Sequence, residues 1–517
     1  MISVFLYVFS SRQTVRKIAI VFQAAFTFLA FWLLYMSRQA TVIVSVGAYE
    51  GFLGITLRAD PLAAVFILLA TVIFLAVAIY SLNESSSRLF WFLLFLLEGT
   101  LIGLFLTRDL FNIFVLIEVS TVVVAILLMY DRRRRNMYAG MTFVMINVIV
   151  MQFYLLGVGY LYIITGILDM DGIAAVLTYV DRSELVLPYA LIITGVAAKC
   201  SMMPLLAWLP KINSIPGSRA SIAAILSGLH IKSGIYLFIR FQNVFPDMAT
   251  DFFLVMGILT AVTGIILALA QKDLRLILAY STMAQVGLIV AGLNLDCMYS
   301  YYGSLFHIGN HAILKVSLFF SSALVIARYK TSDITKIRGL FREHPLLAAA
   351  ILLAVMGMIG TPLFNGSISK YFLMSGAHGL VEWALILINF GTILVFIRFS
   401  TMLFGRNANN STQHPQDLYQ LGIVFGLGVI CLALGIFGSS SILFLFGQAV
   451  SVDVWAYLEK AAIFAVSLGI GLLAYKYIFS KKEPLKLLCN LDISFKLLCA
   501  SVGVFFAAIL IFVGSPF

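Results

Sequence analysis

An all-α membrane protein of about 14–16 transmembrane helices is the fold class this sequence predicts, and three observations predict it. The 517 residues are 62% hydrophobic and only 11% charged, with a mean hydropathy of +1.05. A chain of this size facing water would carry about a quarter charged residues, so its solvent is a bilayer. The apolar runs are roughly 18–25 residues long, the length at which a helix crosses the hydrocarbon core. They do not alternate polar with apolar, as strands of a barrel would, and backbone groups in lipid pair only in helices or closed barrels. Helices remain.

The runs fall near residues 2–10, 17–36, 61–82, 89–107, 110–130, 138–164 and 187–207. They continue near 218–240, 252–270, 275–293, 301–327, 345–379 with an interruption, 381–404, 418–446, 457–479 and 494–514. The first stretch, Ile2 to Phe9, lacks a small-residue cleavage site and reads as a short span, not a signal peptide. Alternate loops carry Arg12 to Lys17, Arg132 to Arg135, Lys211 to Arg219, Lys272 to Arg275, Arg328 to Arg342 and Lys481 to Lys486. The loops between them carry Asp169, Asp171, Asp181 and Glu184, then Asp247 and Asp251, then Asp296. Basic residues in short loops stay in the cytoplasm, so this pattern orients a multi-pass protein of the cell inner membrane. It also accounts for most of the net charge of +11 and leaves no patch for nucleic acid.

The five cysteines, Cys200, Cys297, Cys431, Cys489 and Cys499, form no CxxC pair. Neither GxGxxG before a helix nor GxxxxGK[ST] occurs, so no nucleotide, metal or other cofactor is expected, and no catalytic or redox centre.

Ionisable residues nevertheless stand inside the apolar runs. Glu118 lies in DLFNIFVLIEVSTVVVAILL, Lys199 in LIITGVAAKCSMMP, and His230 and Lys232 in AAILSGLHIKSGIYLFIR. His307, His311 and Lys315 share SLFHIGNHAILKVSLFF, and Lys370 follows the break in GMIGTPLFNGSISKYFL. Facing lipid, they would together cost about 20 kcal/mol, so they face one another or water. His307, His311 and Lys315 recur every fourth residue and form one stripe, about 6 Å per step, able to pass a proton through intervening waters. The bland alternative is a stripe that bonds carbonyls and hydroxyls of a neighbouring helix. A zinc site would need a further converging Cys, His or Asp, which Lys315 is not.

Two spans are interrupted by helix breakers. Pro204, Pro210, Pro216 and Gly217 follow Lys199; Gly357, Gly360, Pro362, Asn365 and Gly366 precede Lys370. Unwound backbone at membrane depth is tolerated inside protein or beside a water-filled cavity, and transporters place such breaks in corresponding positions of two repeats.

The strings TRDLFNIFVLIEV, GVAAKCSMMPLLAWLPK, SGLHIKSGIYLFIR, ALAQKDLRLILAYSTMAQVG, HIGNHAILK and GMIGTPLFNGSISK, in that order, resemble the antiporter-like subunits of respiratory complex I, Mrp-type Na+/H+ antiporters and membrane-bound hydrogenases. The likeness runs from about Asp60 to Gly405 and is greatest to the Mrp D-type subunit and its hydrogenase counterpart. It implies two inverted five-helix repeats, residues 89–240 and 252–404, each with a broken helix, flanked by helices at 1–88 and 405–517. It implies that Glu118 pairs with Lys199 as a switch, and that Lys232, His307, His311 and Lys315 form a hydrophilic axis ending at Lys370. His230 and Glu98 depart from the pattern; Glu98 reads as a subunit contact or an additional ion ligand.

The expected function is that of a proton-translocating subunit of a multisubunit ion-pumping complex. Its partners would be other membrane subunits, lipid and protons, with Na+ crossing through the complex. The rival readings are a stand-alone carrier of a small solute and a non-transporting assembly subunit.

Overall fold

The computed structural model describes residues 12–48, 54–84, 87–213, 215, 219–246, 248–406, 418–479, 485, 488–489 and 494–515. The span expected at 2–10 lies outside them, as do Pro216, Gly217, Asp247, Lys481, Lys482 and Lys486. In chain order the main elements are α1 (Arg12–Gln39), β1 (Val42–Ser45), β2 (Thr56–Ala59), α2 (Pro61–Tyr80), α3 (Arg88–Leu106), α4 (Leu110–Leu128), α5 (Arg134–Thr165), α6 (Met170–Leu177), α7 (Arg182–Lys199) and α8 (Trp208–Asn213). There follow α9 (Ala220–Ile225), a π turn (Leu226–His230), α10 (Ile231–Val244), α11 (Thr250–Ala270), α12 (Leu274–Leu293), α13 (Met298–Tyr329), α14 (Leu340–Glu343), α15 (Pro345–Ile359) and α16 (Asn365–Leu373). The last are α17 (Gly379–Ser400), α18 (Leu418–Ile436), α19 (Gly438–Phe446), α20 (Val454–Ala474) and α21 (Phe495–Gly514).

Among the described residues thirteen helices are long and apolar enough to cross a membrane. Helix α7 is absent from that count because Arg182, Glu184 and Lys199 give it three charges, and α15 because the break after Ile359 leaves it short. The small antiparallel hairpin of β1 and β2, with Val42 opposite Ala59, was not foreshadowed by the helical reading.

The chain forms two compact units. One comprises Met1–Ser218, Leu229–Phe252 and Ile493–Phe517; the other comprises Arg219–Gly228 and Phe253–Asp492. In the first, α5 packs along α4 and α7, α1 along α2, and α21 along α7. In the second, α13 packs against α12, α15, α16 and α18.

The helix starts are written locally. Asp60, Asp109, Asp169 and Asp273 each cap a helix, their carboxylates accepting from the first free N–H groups, and Pro61 occupies the first turn of α2, where its missing N–H is harmless. The same closure recurs in each unit. Asp109 bridges to Asp169 and Asp273 to Asp333, with Leu110 N–H donating to Leu168 O and Leu274 N–H to Ser332 O. The two partners are equally far apart in sequence in both bridges.

Asp60 also ties three segments of the first unit together: its carboxylate accepts from Arg108 at 2.6 Å and from Arg240 at 2.8 and 2.6 Å. Burial alone would raise its pKa, but the two guanidiniums hold the carboxyl at about 2, below its ordinary 3.8. Because the folded value is depressed, the stabilisation is complete above the unfolded pKa and is lost as pH falls through the folded one. Asp60→Asn leaves two buried guanidiniums without their anion, an expected loss of about 3–5 kcal/mol. The thermal midpoint in detergent should fall accordingly at neutral pH, and the gap to wild type should narrow as the pH approaches 2.

Candidate functional site

Three of the buried lysines are enclosed by oriented oxygen acceptors. Lys199, 5% exposed, ends α7, and its Nζ donates to Thr121 Oγ1 on α4 at 2.9 Å and to Asn147 Oδ1 on α5 at 2.8 Å. Both acceptors are fixed one turn back. The Thr121 hydroxyl donates to Ile117 O at 2.9 Å, and the Asn147 amide nitrogen donates to Phe143 O at 2.8 Å, which turns their oxygens toward the ammonium. Helix α10 closes this pocket from another side. A Cβ on Gly234 would stand 2.8 Å from the Lys199 carbonyl carbon, so only glycine lets the two backbones meet there.

Glu118 and Lys199, expected to pair, interact through their charges across a gap and make no direct hydrogen bond or ion pair among the described residues. Glu118 lies half-buried on α4, three residues before Thr121, with Oε1 buried and without a hydrogen bond among the described residues. The ammonium points instead at the neutral oxygens of Thr121 and Asn147. His230 sits on the π turn against the ring of Phe143, 6.1 Å between centroids, and neither ring nitrogen has a hydrogen-bond partner among the described residues. Lys232 is fully buried in the first turn of α10.

In the second unit the stripe is as the spacing predicts. His307 and His311 stack on one face of α13, 6.3 Å between centroids, and both are buried with Lys315. His307 Nε2 lies 3.0 Å from Gln285 Oε1 and Nδ1 lies 2.9 Å from Ser369 Oγ, while that hydroxyl is also 2.9 Å from Asn365 O. A neutral imidazole would donate through Nε2 and accept from Ser369. A cationic one would donate through both nitrogens while Ser369 turns to the Asn365 carbonyl. One rotating hydroxyl therefore accommodates both charge states. Lys315 donates to Leu278 O at 2.9 Å and to Ser281 Oγ.

The second break makes its own acceptor. The Met358 carbonyl would receive the N–H of residue 362 in a continuing helix, but Pro362 has none. Lys370 Nζ donates to that carbonyl at 2.9 Å and to Asn389 Oδ1 at 2.9 Å. A cavity of about 60 Å³ adjoins it, lined by Ser367, Asn389, Tyr457 and Lys460. Gly360 and Leu363 both adopt left-handed backbone here, at φ 83° and 72°, the latter a conformation that side chains rarely take.

Sequence reasoning named the charged residues and missed their hosts, Thr121, Asn147, Ser281, Gln285, Ser369 and Asn389. A signal existed: amides and hydroxyls inside otherwise apolar helices are themselves polar groups needing partners.

Comparison with known proteins agrees with this architecture. Residues 107–397 match the transmembrane region of the NADH:quinone oxidoreductase/Mrp antiporter family. The chain is 31% identical over 350 residues, 66% of its length and 70% of the other's, to the D-type subunit of the Na(+)/H(+) antiporter of Alkalihalophilus pseudofirmus. It is 32% identical over 346 residues, 64% of its length and 68% of the other's, to the N-type subunit of the NADH-quinone oxidoreductase of Desulforudis audaxviator. Its fold matches a chain of the membrane-bound sulfane sulfur reductase, an archaeal respiratory membrane complex, with a TM-score of 0.80 at 22% identity, covering 90% of this chain and 96% of that one. With its helices, broken segments and buried lysines in this arrangement, and more than half its length matched, the chain belongs to the NADH:quinone oxidoreductase/Mrp antiporter transmembrane family, as an antiporter-like multi-pass membrane subunit.

Proposed function

We propose that this subunit translocates protons in the cytoplasmic membrane through Glu118, Lys199, His230 and Lys232 in one unit and His307, His311, Lys315 and Lys370 in the other. The observation that carries the reading is the enclosure of Lys199 and Lys370, each donating to oriented neutral acceptors and, among the described residues, without a carboxylate in hydrogen-bond contact. Both sites host an ammonium through neutral oxygens, with no carboxylate among the described residues in direct contact to fix its charge. Moving a charge against 100 mV requires about 2.3 kcal/mol. A hydrogen bond to a charged group contributes about 1.5–3 kcal/mol, so making or breaking one or two of those seen here is enough to load or unload a lysine.

The equally spaced bridges Asp109–Asp169 and Asp273–Asp333 support a repeat division at 89–240 and 252–404. The first lies in an acidic connection and the second in a basic one, which fits repeats of opposite orientation. The subunit works beside other membrane subunits of an Mrp-type antiporter or a complex I-like respiratory assembly, which supply the energy. Glu118 modulates Lys199 from one turn away, through a gap that a water or a side-chain rotation would close.

In membrane vesicles holding the assembled complex, Lys232→Ala is expected to suppress proton movement, followed with a pH-sensitive dye, while complex assembly persists. Proton movement at the wild-type rate would refute the proposal.

A further inference from the structure

Glu98 takes no part in these lysine sites. It lies midway along α3, 2% exposed, where an unpaired carboxylate costs about 2.5–3.5 kcal/mol. Its Oε1 accepts from Gln23 Nε2 on α1 at 2.6 Å, and that same amide is shared with Thr71 O at 3.2 Å. Its Oε2 has no donor, and no cation pairs with it, among the described residues. Beside the carboxyl is a cleft of about 400 Å³, walled by Phe26, Leu29 and Leu33 of α1, Ile67 of α2 and Phe95 and Ile102 of α3. All three helices are long and apolar enough to cross a membrane, and Leu29 at the rim is 57% exposed, which faces the cleft toward lipid.

We propose that this cleft is a lipid-accessed binding site for an apolar monoamine, whose ammonium pairs with Glu98 Oε2 and whose hydrocarbon body lies along α1 and α3. The volume is that of a small-ligand pocket, and the lining is what such pockets show, mostly apolar walls with few polar groups, Thr71 and Glu98. Charge complementarity selects the head group, because the other polar lining residue, Thr71, has its hydroxyl donating to Leu68 O at 3.0 Å and its carbonyl accepting from Gln23, which leaves Glu98, among the described residues, as the acceptor lacking both a second donor and a counter-ion. Depth selects the tail: a phospholipid amine stays at the interface, whereas a slender alkylamine reaches mid-span.

The test uses the assembled complex in vesicles with a photoreactive alkylamine, reading labelled peptides by mass spectrometry. Saturable labelling is expected within residues 26–33 and 95–102, competed by dodecylamine and not by dodecanol or dodecanoate. Glu98→Gln should weaken binding roughly tenfold or more, the equivalent of one charge-assisted hydrogen bond. Gly99→Leu, at a position where an added Cβ meets nothing within 4 Å, should fill the cleft and abolish labelling with Glu98 intact. Proton movement should persist in both variants, showing that they fold and assemble. The proposal is overturned by unsaturable labelling, by equal competition from dodecanol, or by wild-type labelling of Glu98→Gln. Labelling that arises only after the subunit is dissociated also overturns it, since a neighbouring subunit would then fill the cleft.

Discussion

Lys199→Ala is expected to reduce proton movement by the assembled complex to the level of vesicles lacking it, and Lys199→Arg is expected to be equally inactive. The second variant separates chemistry from packing. A guanidinium fills the site and donates to the same oxygens but stays protonated, so a role that needs only charge or volume would be rescued by it and a role that needs release of a proton would not. The hosts should tune the effect. Asn147→Leu or Thr121→Val removes one hydrogen bond to the ammonium, about 1.5–3 kcal/mol, which shifts the balance between charged and neutral lysine by roughly ten- to a hundredfold. Each should therefore slow transport and displace its pH optimum without abolishing it. Activity of Lys199→Arg near wild type would show that Lys199 is a structural cation and not a proton carrier.

The second large effect is expected at the broken helix ahead of Lys370. A Cβ on Gly366 would stand 1.9 Å from the Gly357 carbonyl oxygen, a backbone atom that cannot turn aside. Gly366→Ala must therefore push α15 and α16 apart, an overpacking expected to cost at least about 1–3 kcal/mol and to lower both the thermal midpoint and transport. Pro362→Ala makes the complementary change. It supplies an N–H that a helix continued past Gly360 would bring to the Met358 carbonyl in competition with Lys370, while removing no packed group larger than a ring. Transport should fall while the midpoint holds or rises. If Pro362→Ala leaves transport unchanged, the freed carbonyl is not what positions the lysine.

These two sites show where the sequence was informative. Lys199 and Lys370 were legible because a charge inside an apolar run is costly anywhere in a bilayer, whatever the fold. The breaks were legible because proline and glycine act on the backbone within a few residues. The histidine stripe followed from helical period alone, since residues four apart share a face before any tertiary contact exists.

What surrounds those groups was not legible. Asn147 lies 52 residues from Lys199 in sequence, and Gln285 and Ser369 lie 22 and 62 residues from His307 on opposite sides. That Glu118 meets Lys199 through charge across a gap and not through a hydrogen bond was hidden for the same reason: sequence supplies two opposite charges, but which acceptor an ammonium meets depends on how α4, α5 and α7 pack. Asp60, which caps α2, is likewise the anion for Arg108 and Arg240, 48 and 180 residues away.

By itself, then, the sequence determined the solvent, the helical class, the two breaks and the identity of the buried charges, because each follows from burial energies and local backbone chemistry. Only the tertiary structure decided which oxygens face each lysine, that Glu118 stands off from Lys199, and that Glu98 borders an open cleft, because hydrogen bonds act over about 3 Å and only packing brings distant helices that close.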